Sequence, residues 1–426
     1  MRKAPLIVSA FAAIVVSGAA GSKWLLGADA DRPLALLDEA LTIVHNKYVD
    51  DVPWAKLVRD GTVGMVEALD ADSVLLGPPQ PRALGGTAHP DDGDVGIVLG
   101  RRRGGLTVIA ARDGTPARQA GLQAGDVLLS IDGVSTQRML PIEAATRLRG
   151  RSGTDVTVRV ARTGWAEPKP LSLMRTTPPA DSVSDRALGE GIIYVRIPAL
   201  RDATAAEFAQ LLRRPPADRA AGLVLDLRNT PHGHVSAAVT VAGMFLDPGC
   251  VVTRVESREP NQPRELLTSA APGRFDQPMA VLVNHGTESA AEVLAAALQD
   301  WKRAVIVGSP TYGDASAQSR IPLPDGQTLD LTTARYLTPK GRVISGKGIV
   351  PDVVVGTPAT ADLRPVATEA KPGSRDPEVE MAFDLVKAAR IFDQPSRGEV
   401  SEQAPPVFTG RIKEGCVRQP DARASG

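Results

Sequence analysis

The feature that most constrains the fold of this chain is the alternation of apolar runs and helical segments between residues 182 and 308. The run GLVLDLRN is nearly continuous in apolar residues, which is typical of a strand covered on both faces. Segments with helical periodicity separate such runs, for example AAVTVAGMFL and Ser289–Trp301. Strands that alternate with helices favour a parallel arrangement. We therefore predict an α/β core, a mostly parallel sheet with flanking helices.

A second pattern lies nearer the N-terminus. Between Val95 and Val160 short β-type runs alternate with turns, and one short helix is predicted at Pro141–Leu148, which indicates an inserted β-rich domain. Leu34–Leu69 carries apolar residues at helical spacing. The predicted organisation is a signal peptide or membrane anchor at 1–30, an N-terminal helical region at 31–88, the β-rich domain at 89–165, the α/β core at 166–358, and a C-terminal segment at 359–426 with a helix at Pro377–Ile391 and a tail of disordered composition.

The N-terminus predicts export. Three residues, MRK, precede the uncharged run APLIVSAFAAIVVSGAAG, and Ala28-Asp29-Ala30 has the small-x-small pattern of a signal-peptidase site. The same run is long enough to remain as a membrane anchor. We expect a periplasmic or cell-envelope protein, with anchoring in the inner membrane as the alternative. Cys250 and Cys416 are able to pair in such an oxidising compartment.

Composition excludes several classes of function. Lys and Arg number 49, as do Asp and Glu, so the basic excess that marks nucleic-acid binding is missing. Five histidines and two cysteines never fall at zinc spacing. We predict no metal and no cofactor. The sequence does not indicate an oligomeric state.

The β-rich domain carries a peptide-binding signature. The stretch DGTPARQAGLQAGDVLLSIDG, Asp113–Gly133, resembles the core of a PDZ domain. In that family the position of GDVGIVL, Gly93–Leu99, is a carboxylate-binding loop followed by a strand with a free edge. The resemblance implies a partner that is a protein or peptide C-terminus, bound by β-augmentation. The implied binding residues are Asp94, Val95, Gly96, Ile97 and Val98. The alternative is a β-rich domain that only packs against its neighbour.

Four segments of the core, in order, carry a second resemblance: LVLDLRNTPHGH, AVLVNHGTESAAEVLAAALQD, GSPTYGDASAQ and YLTPKGRVISGKGIVPDVVV. They resemble the carboxyl-terminal processing peptidases, also called tail-specific serine proteases, over roughly Leu34–Val355. The family uses a serine nucleophile, a lysine general base and a glutamine that orients the lysine. Its Ser-Ala-Ser-Ala-Ser-Glu block aligns with residues 287–292. The resemblance therefore implies Ser289 as the nucleophile, and Ala290 and Gly233 as the oxyanion residues.

The sequence departs from the family at the general base. The family has a Gly-Lys-Gly turn where this chain has Gly313-Asp314-Ala315, although Gln318 is kept. An ordinary aspartate has a pKa near 3.9 and accepts a serine proton poorly, so the role of Asp314 at this position is open. Glu288 adds a second anion that disfavours an oxyanion. The family's Asn-Pro-Gly-Gly loop also differs, since this chain has a histidine in place of the first glycine.

Histidine is the alternative general base. His232 and His285 lie in loops that the resemblance places near the nucleophile, and Asp314 would orient one of them in a Ser–His–Asp arrangement. Two functions of different classes follow. The chain is either an exported serine endopeptidase that binds C-termini and cleaves with Ser289, or a catalytically impaired pseudoprotease that binds C-termini as a scaffold.

Overall fold

The computed structural model describes residues 31–77, 92–102, 105–177, 179–215, 217–262, 264–271, 274–355 and 376–393. The predicted signal or anchor segment, the loop at 78–91 and the tail beyond 393 lie outside the described residues. The chain divides into two compact units, one ending at Asp70 and one beginning at Ala71.

The first unit contains the predicted helical region as two helices. Helix α1 spans Asp31–Lys47 and α2 spans Trp54–Glu67. The turn between them is held by His45, whose ring Nδ1 lies 2.9 Å from the Val52 carbonyl oxygen and whose ring packs on Trp54. Among the helices that the structure describes, none is long and apolar enough to cross a membrane.

The core of the second unit is a six-stranded sheet in which only the first pair of strands is antiparallel. This confirms the predicted mostly parallel sheet. In spatial order its strands are β10 (Ser184–Gly189), β11 (Ile192–Arg196), β12 (Gly222–Asp226), β15 (Met279–Val283), β16 (Val305–Gly308) and β19 (Val353–Val354).

Helices cover both faces of this sheet, which explains why its strands are apolar throughout. One face packs against α5 (Thr204–Leu211), α6 (Val235–Ala242) and α7 (Ala290–Asp300). On the other face α8, Pro377–Asp393, contributes Val379, Ala382 and Val386. Helix α7 is buried along nearly its whole length, so its start is fixed rigidly over the sheet.

The β-rich domain forms its own sheet. Strands β3 (Ile97–Arg102), β4 (Gly105–Ala111), β5 (Val127–Ile131), β8 (Asp155–Ala161) and β9 (Lys169–Met174) lie side by side in this order, β6 (Val134–Ser135) pairs with β5, and β2 (Asp92–Gly93) pairs with β7 (Gly150–Arg151). Its helices are α3 (Pro116–Gln119) and α4 (Pro141–Leu148). Strand β9 completes the sheet, so the domain continues past the predicted boundary at residue 165.

A third, antiparallel sheet has no counterpart in the prediction. It contains β1 (Val74–Leu76), β18 (Thr328–Leu337), β13 (Val251–Ser257) and β14 (Glu265–Leu267), and β17 (Ser316–Pro322) pairs with β18. Cys250, immediately before β13, is buried and disulfide-bonded. Cys416 lies outside the described residues.

Candidate active site

Three loops meet at the carboxyl edge of the parallel sheet. They follow β12, β15 and β16, which are neighbours, and this edge is where open α/β sheets bind ligands. Hydrogen bonds join the loops to one another: the Glu288 amide donates to the Thr230 carbonyl at 3.2 Å, and the Tyr312 amide donates to the Thr287 carbonyl at 3.0 Å. The sheet topology therefore brings together the predicted oxyanion, nucleophile and base segments.

Ser289 occupies a strained position at the start of helix α7. Its backbone has φ 52° and ψ −114°, a combination that a residue with a side chain rarely adopts. The helix begins with the next residue, Ala290, which is fully buried. A serine on a sharp strand-to-helix turn, at the positive end of a helix dipole, is a favourable arrangement for a nucleophile.

Glu292 connects Ser289 to the base segment. Its buried carboxylate accepts hydrogen bonds from the amides of Ser289 (3.1 Å), Gly313 (2.7 Å) and Asp314 (2.9 Å), and from the Thr311 hydroxyl. Burial raises the pKa of Glu292 to about 7, and the four donors oppose this rise. The family alignment contains this glutamate, but the sequence interpretation assigned it no role.

Asp314 lies on a tight turn where the family carries lysine. The preceding Gly313 has φ 87°, and a side chain there would approach the Gly348 amide nitrogen to 2.7 Å, so the turn requires glycine. The Ser316 hydroxyl donates to Asp314 Oδ1 at 2.8 Å. Gln318 Nε2 in turn donates to Ser316 Oγ at 2.9 Å. Gln318 therefore reaches the base position through Ser316, a residue that the sequence interpretation missed.

Glu288 is the most unusual ionisable group of the site. The side chain is largely buried, with 8% of the residue exposed. Burial raises its pKa well above the ordinary value, and the nearby carboxylates of Asp314, Glu292 and Asp72 raise it further. Glu288 is therefore held in its neutral form over a wider pH range than an ordinary glutamate.

The oxyanion loop closes against a neighbouring segment. Gly233 forms a β-bridge with Leu200, and a side chain on Gly233 would approach the Leu200 carbonyl oxygen to 2.8 Å. His232, which replaces a family glycine, is not among the described residues with a left-handed backbone, so this position tolerates a side chain. Ala290 and Gly233 remain the predicted oxyanion residues.

The two candidate histidines face other groups. His285 Nδ1 lies 3.1 Å from the Pro310 carbonyl oxygen, so it carries the proton, and Nε2 accepts from Arg102 at 3.2 Å. Burial lowers the pKa of His285, and Arg102 lowers it further. For His232, desolvation and then Arg112 lower the pKa, although its side chain is exposed. The hydrogen bonds of the His285 ring are therefore with Pro310 and Arg102, and the Ser–His–Asp arrangement stays a prediction.

The PDZ-like sheet contacts the base segment directly. Arg102, at the end of β3, donates to the Tyr312 carbonyl at 3.0 Å and lies over the Tyr312 ring. Val98 and Ile109 pack against the same tyrosine. These contacts place the predicted peptide-binding strand beside the residues that precede Asp314.

The predicted peptide-binding segment consists of a tight loop followed by an edge strand. Gly96 has φ 80°, and its amide donates to Asp94 Oδ1 at 2.6 Å, which shapes a tight loop after Val95. Ile97 and Val98 begin β3, which is the edge strand of its sheet among the described residues. Helix α4 lies against β3. Within the described ranges no cluster of three or more His, Cys, Asp or Glu side chains is suited to a metal ion.

Known protein families match this architecture. The model of peptidase family S41 matches residues 191–355, and a PDZ-domain model matches residues 107–162. The carboxy-terminal-processing protease of Bartonella bacilliformis is 32% identical over 331 residues, 77% of this chain and 76% of the relative. The carboxyl-terminal-processing protease of Synechocystis is 37% identical over 341 residues, 79% of this chain and 75% of the relative.

A solved structure agrees with these relatives. The photosystem II D1 C-terminal processing protease superposes with a TM-score of 0.64 at 29% identity, covering 75% of this chain and 92% of that protein. The superposed region covers more of this chain than the parallel sheet or the PDZ-like domain contains alone, so the match includes both. On these grounds the chain belongs to the carboxy-terminal processing proteases, the S41 peptidases that carry a PDZ domain.

Proposed function

We propose that this protein is an exported serine-type endopeptidase that binds protein C-termini through its PDZ domain and cleaves with Ser289. The observation that carries the proposal is the strained backbone of Ser289 at the start of a buried helix, tied through Glu292 to the turn of the base segment. Strain of this kind costs about 1–3 kcal/mol and persists where the surrounding structure enforces it. The names of the relatives support a processing reaction.

One specific observation favours a second candidate, a pseudoprotease that binds C-termini without cleaving them. The position of the family lysine is occupied by Asp314, and Glu288 beside it adds a further carboxyl group to the site. A lysine that has taken up the serine proton stabilises a nearby oxyanion, whereas a pair of carboxylates opposes it. Retention of the Ser289 geometry argues for the first candidate.

Cleavage is tested with the full chain, an unfolded polypeptide that ends in a free apolar carboxyl terminus, and the Ser289→Ala variant. The endopeptidase proposal predicts fragments with the natural sequence and none with Ser289→Ala. The assay is repeated from pH 4 to 10, because a carboxylate base and an imidazole base would be active over different pH ranges. Equal binding by both proteins with no fragments at any pH would instead establish the pseudoprotease.

Peptide capture is tested at Gly96. A Cβ atom there would lie 2.2 Å from the Thr115 hydroxyl oxygen, and φ is 80°, so Gly96→Ala is expected to distort the carboxylate loop and weaken peptide binding at least about tenfold. Gly105→Ala, in the same sheet, meets its nearest neighbour at an ordinary 3.4 Å and is the matched control. Binding is measured by fluorescence anisotropy with a free-acid peptide and with its C-terminal amide. Equal affinity for acid and amide would contradict the PDZ part of the proposal.

Export is supported by the disulfide of Cys250, since disulfides persist in oxidising compartments. Fusing residues 1–30 to a reporter that is active only outside the cytoplasm tests the signal directly. N-terminal sequencing of the mature protein then distinguishes a cleaved signal from a retained anchor.

A further inference from the structure

Two departures from the family pattern occur together in this site. The aligned family block has alanine where this chain has Glu288, and the family's lysine is replaced by Asp314. The two carboxyl groups interact electrostatically in the folded protein. Replacing a cation by one anion and adding a second beside it changes the site from a basic to an acidic one. The question is whether this pair has a chemical role toward Ser289.

The backbone holds Asp314 beside the nucleophile. The amides of Ser289 and Asp314 both donate to the same oxygen, Glu292 Oε2, at 3.1 and 2.9 Å. The distance between the two amide nitrogens is therefore at most the sum of these two hydrogen-bond lengths. Ser316 and Gln318 orient the carboxylate, so the orienting chain of the family leads to Asp314 here. Glu292 thus joins the backbone of Ser289 to that of Asp314, and a proton would pass between their side chains directly or through one water.

Glu288 points to the same chemistry independently. A carboxyl group that is largely buried beside other carboxylates costs stability when it ionises. Alanine, the family residue, would avoid this cost. The groups that face Glu288 are Asp314, Glu292, Asp72 and the Tyr312 hydroxyl, and the nearby cation Arg102 is directed to Tyr312 and His285. Its surroundings thus favour the protonated form.

We propose that the Asp314 carboxylate is the general base for Ser289, and that Glu288, kept protonated, is a positioning residue that limits the pair to one negative charge. This inference rests on the proposed peptidase function. It answers the electrostatic objection to two anions beside an oxyanion, because a protonated Glu288 leaves only one. It also gives the retained Gln318 a role, acting through Ser316.

The reaction balances as a proton shuttle. Asp314 takes the proton of the Ser289 hydroxyl, and the serine oxygen forms a bond to the scissile carbonyl carbon while the carbonyl electron pair moves onto its oxygen. The tetrahedral intermediate collapses as Asp314 returns the proton to the departing amine nitrogen and the C–N bond breaks. Water then attacks the acyl-enzyme, giving its proton to Asp314, which passes it to Ser289 Oγ as the ester bond breaks.

The charge state of the pair predicts the pH dependence of kcat. Cleavage requires an ionised Asp314, so kcat falls in acid. It also requires a protonated Glu288, so kcat falls again in alkali once the pair becomes a dianion. A lysine base would instead give a rate that keeps rising into alkali, and a histidine base would give one that rises through neutrality and then stays level.

The experiment is a pH profile of kcat and KM, from pH 4 to 10, for the full chain and three variants. The natural sequence is expected to give a bell-shaped kcat profile. Asp314→Asn is expected to lower kcat at least about 100-fold with little change in KM. Glu288→Gln is expected to retain measurable Ser289-dependent cleavage and to lose the alkaline fall, because glutamine cannot ionise. Ser316→Ala is expected to lower kcat severalfold.

Each outcome separates the inference from the function on which it rests. Absence of Ser289-dependent cleavage by the natural sequence at every pH would overturn the proposed function itself. Ser289-dependent cleavage that survives Asp314→Asn would overturn only the base assignment, and His232→Gln and His285→Gln would then identify an imidazole base. An alkaline fall that persists unchanged in Glu288→Gln would remove the role of Glu288 alone. Circular dichroism of each variant confirms that a loss of kcat is not a loss of fold.

Discussion

At the scale of single residues, Glu292 makes more of the hydrogen bonds that hold the site together than Ser289 does. It occupies the first turn of α7 and accepts four hydrogen bonds that come from the nucleophile and base segments. An acid at the third position of a helix that reaches back to the N-cap amide is a common capping arrangement. Here the same carboxylate also fixes the turn that carries Asp314. The relative position of Ser289 and Asp314 thus depends on one buried side chain.

Glu292→Gln is expected to lower the stability of the fold and the rate of cleavage together. The four groups that hydrogen-bond to the Glu292 carboxylate are all donors. The NH₂ group of glutamine is also a donor, so at least one of these buried groups loses its acceptor, at a cost of about 1–3 kcal/mol. Thermal unfolding, measured by circular dichroism, checks the stability. Glu256→Gln, an exposed glutamate on β13, is the matched control and should leave the transition in place. A Glu292→Gln protein as stable as this control would contradict the proposed role of the carboxylate.

Glu288 is expected to make the protein less stable as the pH rises. Its pKa is raised in the folded state, so between its unfolded value near 4.5 and its folded value the folded protein holds a proton that the unfolded chain has lost. Its stabilising contribution is therefore complete in acid and is lost as the pH rises through the folded pKa. The loss amounts to about 1.4 kcal/mol for each pH unit that separates the folded from the unfolded pKa.

Melting temperatures measured between pH 4 and 9 test whether the stability falls as the pH rises. Glu288→Gln cannot ionise, so its stability relative to the natural sequence is expected to increase steadily with pH. Glu292 titrates in the same direction but is common to both proteins and cancels. A difference between the two proteins that stays constant over this range would show that the pKa of Glu288 is not perturbed.

At the scale of secondary-structure elements, periodicity predicted most of the parallel sheet and its helices. Gly222–Asp226 and Met279–Val283 are apolar throughout because both faces are covered, and this is visible in the sequence. The third sheet was not predicted, since its strands are half-exposed and pair over long separations, as Val74 does with Asp330. The resemblance predicted roles for Ser289, Asp314 and Gln318. It did not reveal the burial of Glu288 or the bridging Ser316, because side-chain contacts between loops leave no periodic pattern.

Strand β3 and the base segment form one connected element through Arg102. Its guanidinium contacts His285 Nε2, the Tyr312 carbonyl and the Tyr312 ring. We predict that Arg102→Ala raises the pKa of His285, because the removal of a nearby cation and of a donor to Nε2 favours protonation. An NMR titration of the five histidines measures this change. Arg138→Ala, exposed in the same domain, should leave it unchanged. An unaltered His285 pKa in Arg102→Ala would show that the contact does not persist in solution.

At the scale of the whole molecule, the C-terminal helix completes the core. Helix α8 covers one face of the parallel sheet, and a buried ionic network fixes its first turn. Arg228, beside the site loop, pairs with Asp226 at 2.6 Å, with Asp376 at 2.9 Å and with Glu378 at 2.5 Å. Burial alone would raise the pKa of Asp226, but Arg228 outweighs it and the pKa is lowered. The ionised Asp226 therefore contributes to the stability of the folded protein at neutral pH, and this contribution is lost as the pH falls through the folded pKa of Asp226.

Arg228→Ala is expected to release α8 and to destabilise the core by about 3–5 kcal/mol, because it removes the cation paired with the buried carboxylates of Asp226 and Glu378. Hydrogen exchange should accelerate in Pro377–Asp393 more than in α7, since the network holds only the first of these helices. Lys387→Ala is the matched control on the same helix: its ion pair with Glu190 is exposed and worth about 0–1 kcal/mol. If α8 were equally protected in both variants, apolar packing by Val379, Ala382 and Val386 would suffice to hold it. Faster exchange in Arg228→Ala alone would mean that the loop carrying Asn229 and Thr230 and the C-terminal helix are stabilised by one network.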